Sequence, residues 1–95
     1  AGQVPAAPRV AHLASPYPNP FNSSVTIPFT LASPATVQLE LFDLAGQRLR
    51  VLVNEERIAG EHEVRWEAEG VASGVYLIRL RTGDYLAERK IILAK

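Results

Sequence analysis

From Ser15 onward the apolar residues of this chain fall mostly on every second position. Val25, Ile27, Phe29 and Leu31 line one face of a first predicted strand, and Val37, Leu39 and Leu41 line one face of the next, with Ala32-Ser33-Pro34-Ala35 as the turn between them. Pro28 sits inside the first of these and has no N–H to give a ladder, which predicts an edge strand or an unpaired side at that point. The Asp43-Leu44-Ala45-Gly46 stretch suits a type I turn whose glycine takes the left-handed conformation of a G1 bulge. A third strand is expected to alternate Leu49, Val51 and Val53 against Arg48, Arg50 and Leu52. After a polar loop reaching Gly60, a fourth places His62, Val64 and Trp66 opposite Glu63, Arg65 and Glu67. Gly70 to Gly74 reads as a loop, Tyr76, Ile78 and Leu80 as the inner face of a further strand, and Gly83-Asp84 as a tight hairpin into a last strand, Tyr85 to Leu93. On that last strand Ile91 and Leu93 face one side, Lys90 and Ile92 the other.

No segment sustains a helical period, and there is no internal repeat. Short strands separated by Gly and Pro turns predict an all-β fold, an immunoglobulin-like antiparallel β-sandwich of about seven short strands. Residues 1–13, with Pro5, Pro8 and four alanines, are expected to form a linker at about 3.1 Å per residue, hence a reach of roughly 40 Å. The domain proper is expected to span residues 14–95.

Composition narrows the chemistry. Ninety-five residues suit one domain, and ten basic against ten acidic side chains leave no net charge for a phosphate backbone to read. Nucleic acid is therefore not an expected partner. The absence of cysteine removes thiolate nucleophiles, disulfides and cysteine zinc sites. The chain begins at Ala1 and contains no methionine, which points to a fragment or a processed product. No apolar run approaches the roughly 20 residues of a membrane-spanning helix.

Catalysis finds no foothold. A nucleophile needs a base within reach, yet the only histidines are His12, in the expected linker, and His62, at the head of a strand; Ser73, in Gly70-Val71-Ala72-Ser73-Gly74, stands one place late for a nucleophile elbow. No cofactor or metal is called for, because no second ligand stands at a metal-binding offset from His62, and Asp43 and Asp84 are turn residues that bond their own backbone. Trp66 alternates in phase with Val64 as a core residue does, and Tyr76 follows a glycine-containing bend where a tyrosine corner ties down a loop. Tyr85 flanks the Gly83-Asp84 turn, and Asn22-Ser23-Ser24 fits the short N-glycosylation sequon.

Four local signatures occur in order: Tyr17-Pro18-Asn19-Pro20-Phe21-Asn22, Phe42-Asp43-Leu44-Ala45-Gly46, Gly74-Val75-Tyr76, and Lys90 followed by Ile91-Ile92-Leu93. Over residues 14–95 this series resembles the type A C-terminal sorting domain of the Bacteroidota type IX secretion system. The resemblance implies a non-catalytic address label that directs an upstream cargo protein from the periplasm across the outer membrane, to the cell surface or the medium. It implies, as partners, an outer-membrane shuttle and translocon and a sortase-like peptidase that cuts near the N-terminal boundary, here around residues 1–16.

It also assigns receptor recognition to Gly74, Tyr76, Lys90, Ile91, Ile92, Leu93 and Lys95. Pro18, Asn19, Pro20, Phe21, Asp43, Gly46 and Trp66 are read as fold-forming, with three prolines stiffening the opening motif and Phe21 anchoring it. A terminal edge strand would offer its unpaired N–H and C=O groups to a receptor by β-augmentation. Two other readings stand beside the sorting domain: a carbohydrate-binding or adhesive β-sandwich, with Trp66, Tyr76, Tyr85 and Tyr17 as its aromatic platform, and a structural immunoglobulin-like spacer.

Overall fold

Each alternating segment forms a strand in the computed structural model, which describes residues 10–95. In chain order these are β1 (Ala11–Leu13), β2 (Ser24–Leu31), β3 (Ala35–Phe42), β4 (Arg48–Arg57), β5 (Gly60–Glu67), β6 (Gly74–Thr82) and β7 (Tyr85–Leu93). They make two antiparallel sheets, β1-β2-β5 and β4-β3-β6-β7, packed as a β-sandwich. In the constant-type immunoglobulin arrangement the fourth strand joins the sheet of the first. Here β4 pairs with β3 instead, so the sheet of the first strand holds three strands and the opposite sheet four.

The core is what the period of two demands. Val25, Ile27, Phe29 and Leu31 of β2, Val37, Leu39 and Leu41 of β3, Tyr76, Ile78 and Leu80 of β6, and Ile91 and Leu93 of β7 are all buried between the sheets. Trp66 joins them at 8% exposure, its ring edge-on to Phe21 with centroids 5.9 Å apart. His62 stacks on Phe29 and donates from a ring nitrogen to the Ile58 carbonyl, 2.8 Å away.

Three sequence expectations need correction. Ala11–Leu13, read as the end of a linker, form β1 against Leu31–Phe29, with Ala11 and Leu13 buried. A three-residue strand is too short to show a period, and Pro5 and Pro8 colour its neighbourhood; the rest of the expected linker, residues 1–9, lies outside the described residues. β2 is central rather than an edge. Pro28 nevertheless sits where the ladder with β1 stops: its carbonyl accepts from Ala14 N–H, but it has no N–H to return, and β1 ends one residue earlier. On β4, Leu49, Val51 and Val53 do not share a face. Register shifts opposite Leu39/Glu40 and Leu41/Phe42 bulge the strand, so Val51 turns out to 49% exposure while Leu49 and Leu52 pack partly against the core.

The register sets two unlike ends. At one, the turns β2–β3, β4–β5 and β6–β7 are short; at the other lie residues 14–23, 43–47, 68–73 and the chain beyond Leu93. That second end holds residues from all four signatures, because Phe42 pairs with Leu77 while Gly74 pairs with Leu93.

Candidate functional site

The opening motif is built as a strap. After β1 the chain continues along β2 as far as Tyr17, which exchanges both backbone hydrogen bonds with Thr26, at 2.9 and 2.8 Å. It then leaves that sheet and crosses to the outer edge of β7. Asn19 Nδ2 donates to the Lys90 carbonyl and Asn19 Oδ1 accepts from Ile92 N–H, both at 2.9 Å. One side-chain amide thus offers the donor and acceptor that a neighbouring peptide group would supply. Phe21 N–H donates to the Ile92 carbonyl and its own carbonyl accepts from Ala94 N–H, both at 2.8 Å, a parallel bridge to Leu93. The Phe21 ring is 2% exposed and anchors the strap in the core beside Trp66. The outer edge of β7 from Lys90 to Leu93 is consequently occupied, and the expectation of an open edge there does not hold.

The remaining signatures close the same end. Asp43 Oδ1 accepts from Ala45 and Gln47 N–H, each at 2.9 Å, and Gly46, at φ +89°, makes the left-handed step that a β-carbon would disfavour. Tyr76 Oη donates to the Ala72 carbonyl four residues upstream, the tyrosine corner expected of this position. Its ring passes 3.8 Å from where a β-carbon on Gly74 would lie. Ser73 Oγ accepts from Lys95 N–H at 3.0 Å, which gives the serine a structural partner. Lys90 and Lys95 are exposed, Ile92 and Gly74 half-buried, and Tyr76, Ile91 and Leu93 buried.

Two fasteners at the flank could not be foreseen from single residues. Leu13 N–H donates to Tyr85 Oη at 2.9 Å, and Arg89 donates to the Leu13 carbonyl at 2.6 Å, tying β1 to β7 across the sandwich. Tyr85 is thereby engaged rather than displayed. Tyr17 donates its hydroxyl to Glu63 Oε2 at 2.8 Å, and that bond, with some desolvation and the carboxylate's charge, raises the phenol above its ordinary range.

An open cleft of about 460 Å³ lies at this end between Asn22, Ser23, the turn Glu67–Gly70 and Lys95. Its walls carry two carboxylates and one ammonium, while His12 and His62 stand on strands elsewhere. No group of three or more metal-ligating side chains converges among the described residues, and none of their helices is long and apolar enough to cross a membrane. With Trp66 and Tyr76 buried, the aromatic side chains do not assemble the exposed platform of the carbohydrate-binding reading.

Neither the curated proteins nor the solved structures contain a match to this chain. Residues 15–94 match the family described as the secretion system C-terminal sorting domain, a span that runs from just after β1 to just beyond β7 and takes in all four signatures. The chain belongs to that family, the C-terminal sorting domains of type IX secretion.

Proposed function

We propose that the chain works as a folded sorting signal, recognised in the periplasm through the end of the sandwich where the strap, the tyrosine corner and β7 meet. The chain is a C-terminal type IX sorting signal, which implies export across the outer membrane to the surface or the medium and attachment to an upstream cargo. The observation that carries the finer reading is the convergence of residues from all four signatures, distant in sequence, at one end of one sandwich. Within that end, Gly74, Lys90, Ile92 and Lys95 reach the surface and are positioned for contact, whereas Tyr76, Ile91 and Leu93 act by holding them in place. An outer-membrane shuttle delivers the domain to the translocon, and a sortase-like peptidase removes it. The cut falls upstream of Ala11, because a cut inside residues 11–16 would strip β1 and the buried Pro16 from the sandwich.

Fusion of the full chain to a periplasmic reporter in a host with type IX secretion tests this. The reporter is expected at the cell surface or in the medium. A folded fusion that stays in the periplasm would sink the sorting function. If the reporter is exported and its processed form ends at or beyond Ala11, the placement of the cut is wrong while the sorting function stands.

A further inference from the structure

The two outer faces of the sandwich carry opposite unbalanced charge. On the three-stranded sheet, β5 turns Glu61, Glu63, Arg65 and Glu67 outward opposite Thr30, Pro28, Thr26 and Ser24. Arg65 pairs with Glu67, leaving Glu61 and Glu63 without ion pairs among the described residues. On the four-stranded sheet, Glu40 is matched by Arg48 and Glu88 by Arg79, while Arg81, Lys90 and Glu56 have no ion pair among the described residues, which leaves that face one positive charge in excess. The overall neutrality of the chain conceals this polarity.

The four-stranded face also differs in its apolar content. Phe42, Leu77 and Lys90 lie side by side across β3, β6 and β7, and Val75 and Ile92 form the next row toward the strap. All five side chains point away from the core by the alternation of their strands, whose inward positions are Leu41, Tyr76, Ile78, Ile91 and Leu93. The Phe42 ring has no second sheet above it; the Arg79 guanidinium covers it, 4.2 Å from the ring centroid. Phe42, Val75, Lys90 and Ile92 come from three of the four signatures; Phe42 is already buried beneath Arg79, at 8% exposure, whereas Val75, Leu77 and Ile92 are half-buried and Lys90 is exposed. An apolar centre beside an unmatched ammonium, on a domain whose other face is acidic, selects both the orientation and the charge of what lands on it.

We propose that this face, centred on Val75, Leu77 and Ile92 with Lys90 at its rim, is the docking surface for a protein of the export machinery. That protein meets it with apolar side chains and a carboxylate set against Lys90. The proposal rests on the sorting function and adds the surface and the chemistry of the partner. Docking is by side chains on the face of the sheet, because the adjoining edge of β7 is closed by Asn19 and Phe21.

Export of the full chain fused to a reporter, compared among three variants of matched fold, tests the surface. Leu77→Ser with Ile92→Ser removes the apolar centre, and Lys90→Glu reverses the rim charge. Glu61→Lys with Arg65→Glu alters the opposite face. Export is expected to fall about tenfold or more for the first two and to stay at the parental level for the third. A photoreactive side chain in place of Val75 is expected to label a protein. Folded patch variants that are exported at the parental rate would overturn the proposal while leaving the sorting function intact; labelling of lipid instead would assign the face to a membrane surface and also overturn it. If the double serine variant does not fold, Lys90→Glu decides alone, since an exposed position opens no cavity. A parental fusion that never leaves the periplasm would remove the sorting function and this surface with it.

Discussion

The two ends of the sandwich solve the same problem by different means. At one end the connections 32–34, 58–59 and 83–84 are so short that adjoining strands carry them. At the other, residues 14–23, 43–47 and 68–73 are long enough to leave backbone donors and acceptors without ladder partners, and the chain supplies side chains to meet them: Asn19 for β7, Asp43 for its own turn, Tyr76 for Ala72 and Ser73 for Lys95. The lesson is that the signature residues divide by task. Those that fasten loops or fill the core cannot at the same time be offered to a partner, and only the outward remainder is free for contact.

That division predicts a gradient of stability effects. Phe21→Ala should cost about 3–5 kcal/mol, because it empties a core site beside Trp66 and loosens the strap together. Ile58→Ser, at a position 74% exposed in a short turn of the opposite end, should stay within about 0.5 kcal/mol in the same urea titration. Comparable costs for the two would break the distinction between the ends.

Asn19→Ala comes next, at about 1–2 kcal/mol for two hydrogen bonds, and hydrogen exchange should show the Ile92 amide losing protection while the β2–β5 ladder keeps its own. Unchanged exchange at Ile92 would mean that the side-chain amide fastens nothing. Tyr76→Phe should cost about 0.5–1.5 kcal/mol, the worth of one hydrogen bond with the ring left in place, measured by thermal or urea unfolding. No loss of stability would show the corner to be incidental.

The smallest effect concerns pH. The Tyr17 hydroxyl is raised above its ordinary value of about 10 chiefly by donating to Glu63, so the folded state keeps the proton in a range where the unfolded chain gives it up. The contribution of that bond is therefore complete below the ordinary tyrosine value and is lost as pH rises through the raised one. Both groups are at the surface, so the change should be slight. A phenolate absorbance titration in which Tyr17 ionises no later than a free tyrosine, or one unaltered by Glu63→Gln, would remove the bond from the account.

Much of this fold is legible in the sequence because alternation is a long-range signal. β2, β3, β6 and β7 each repeat it three or more times, and Trp66 and Tyr76 sit in phase with it. What escaped notice is either too short or breaks the period. β1 offers three residues, and the bulges of β4 shift its phase at Leu52 and Leu49, where no glycine marks them. The opening motif announced Phe21 as an anchor, but the partner of Asn19 lies 71 to 73 residues away, and nothing local in the sequence specifies it. The docking face was hidden for another reason: alternation turns Val75 and Leu77 outward, but only the register sets them beside Lys90 and Ile92 of the neighbouring strand.

The closure of β7 by the strap makes completion of the chain a condition of the fold. Ile91 and Leu93 supply part of the core, and the backbone of Ile92 and Ala94 supplies the partners of Phe21, so a polypeptide broken off during synthesis before Leu93 cannot seat either the last strand or the opening motif. A translating ribosome releases these residues last among the seven strands, and until it does the domain lacks one edge of its larger sheet. The folded shape is thus a certificate of length: truncated cargo would arrive without a completed sandwich and without Lys90 or Ile92 in place, and would be set apart from full-length cargo by conformation alone.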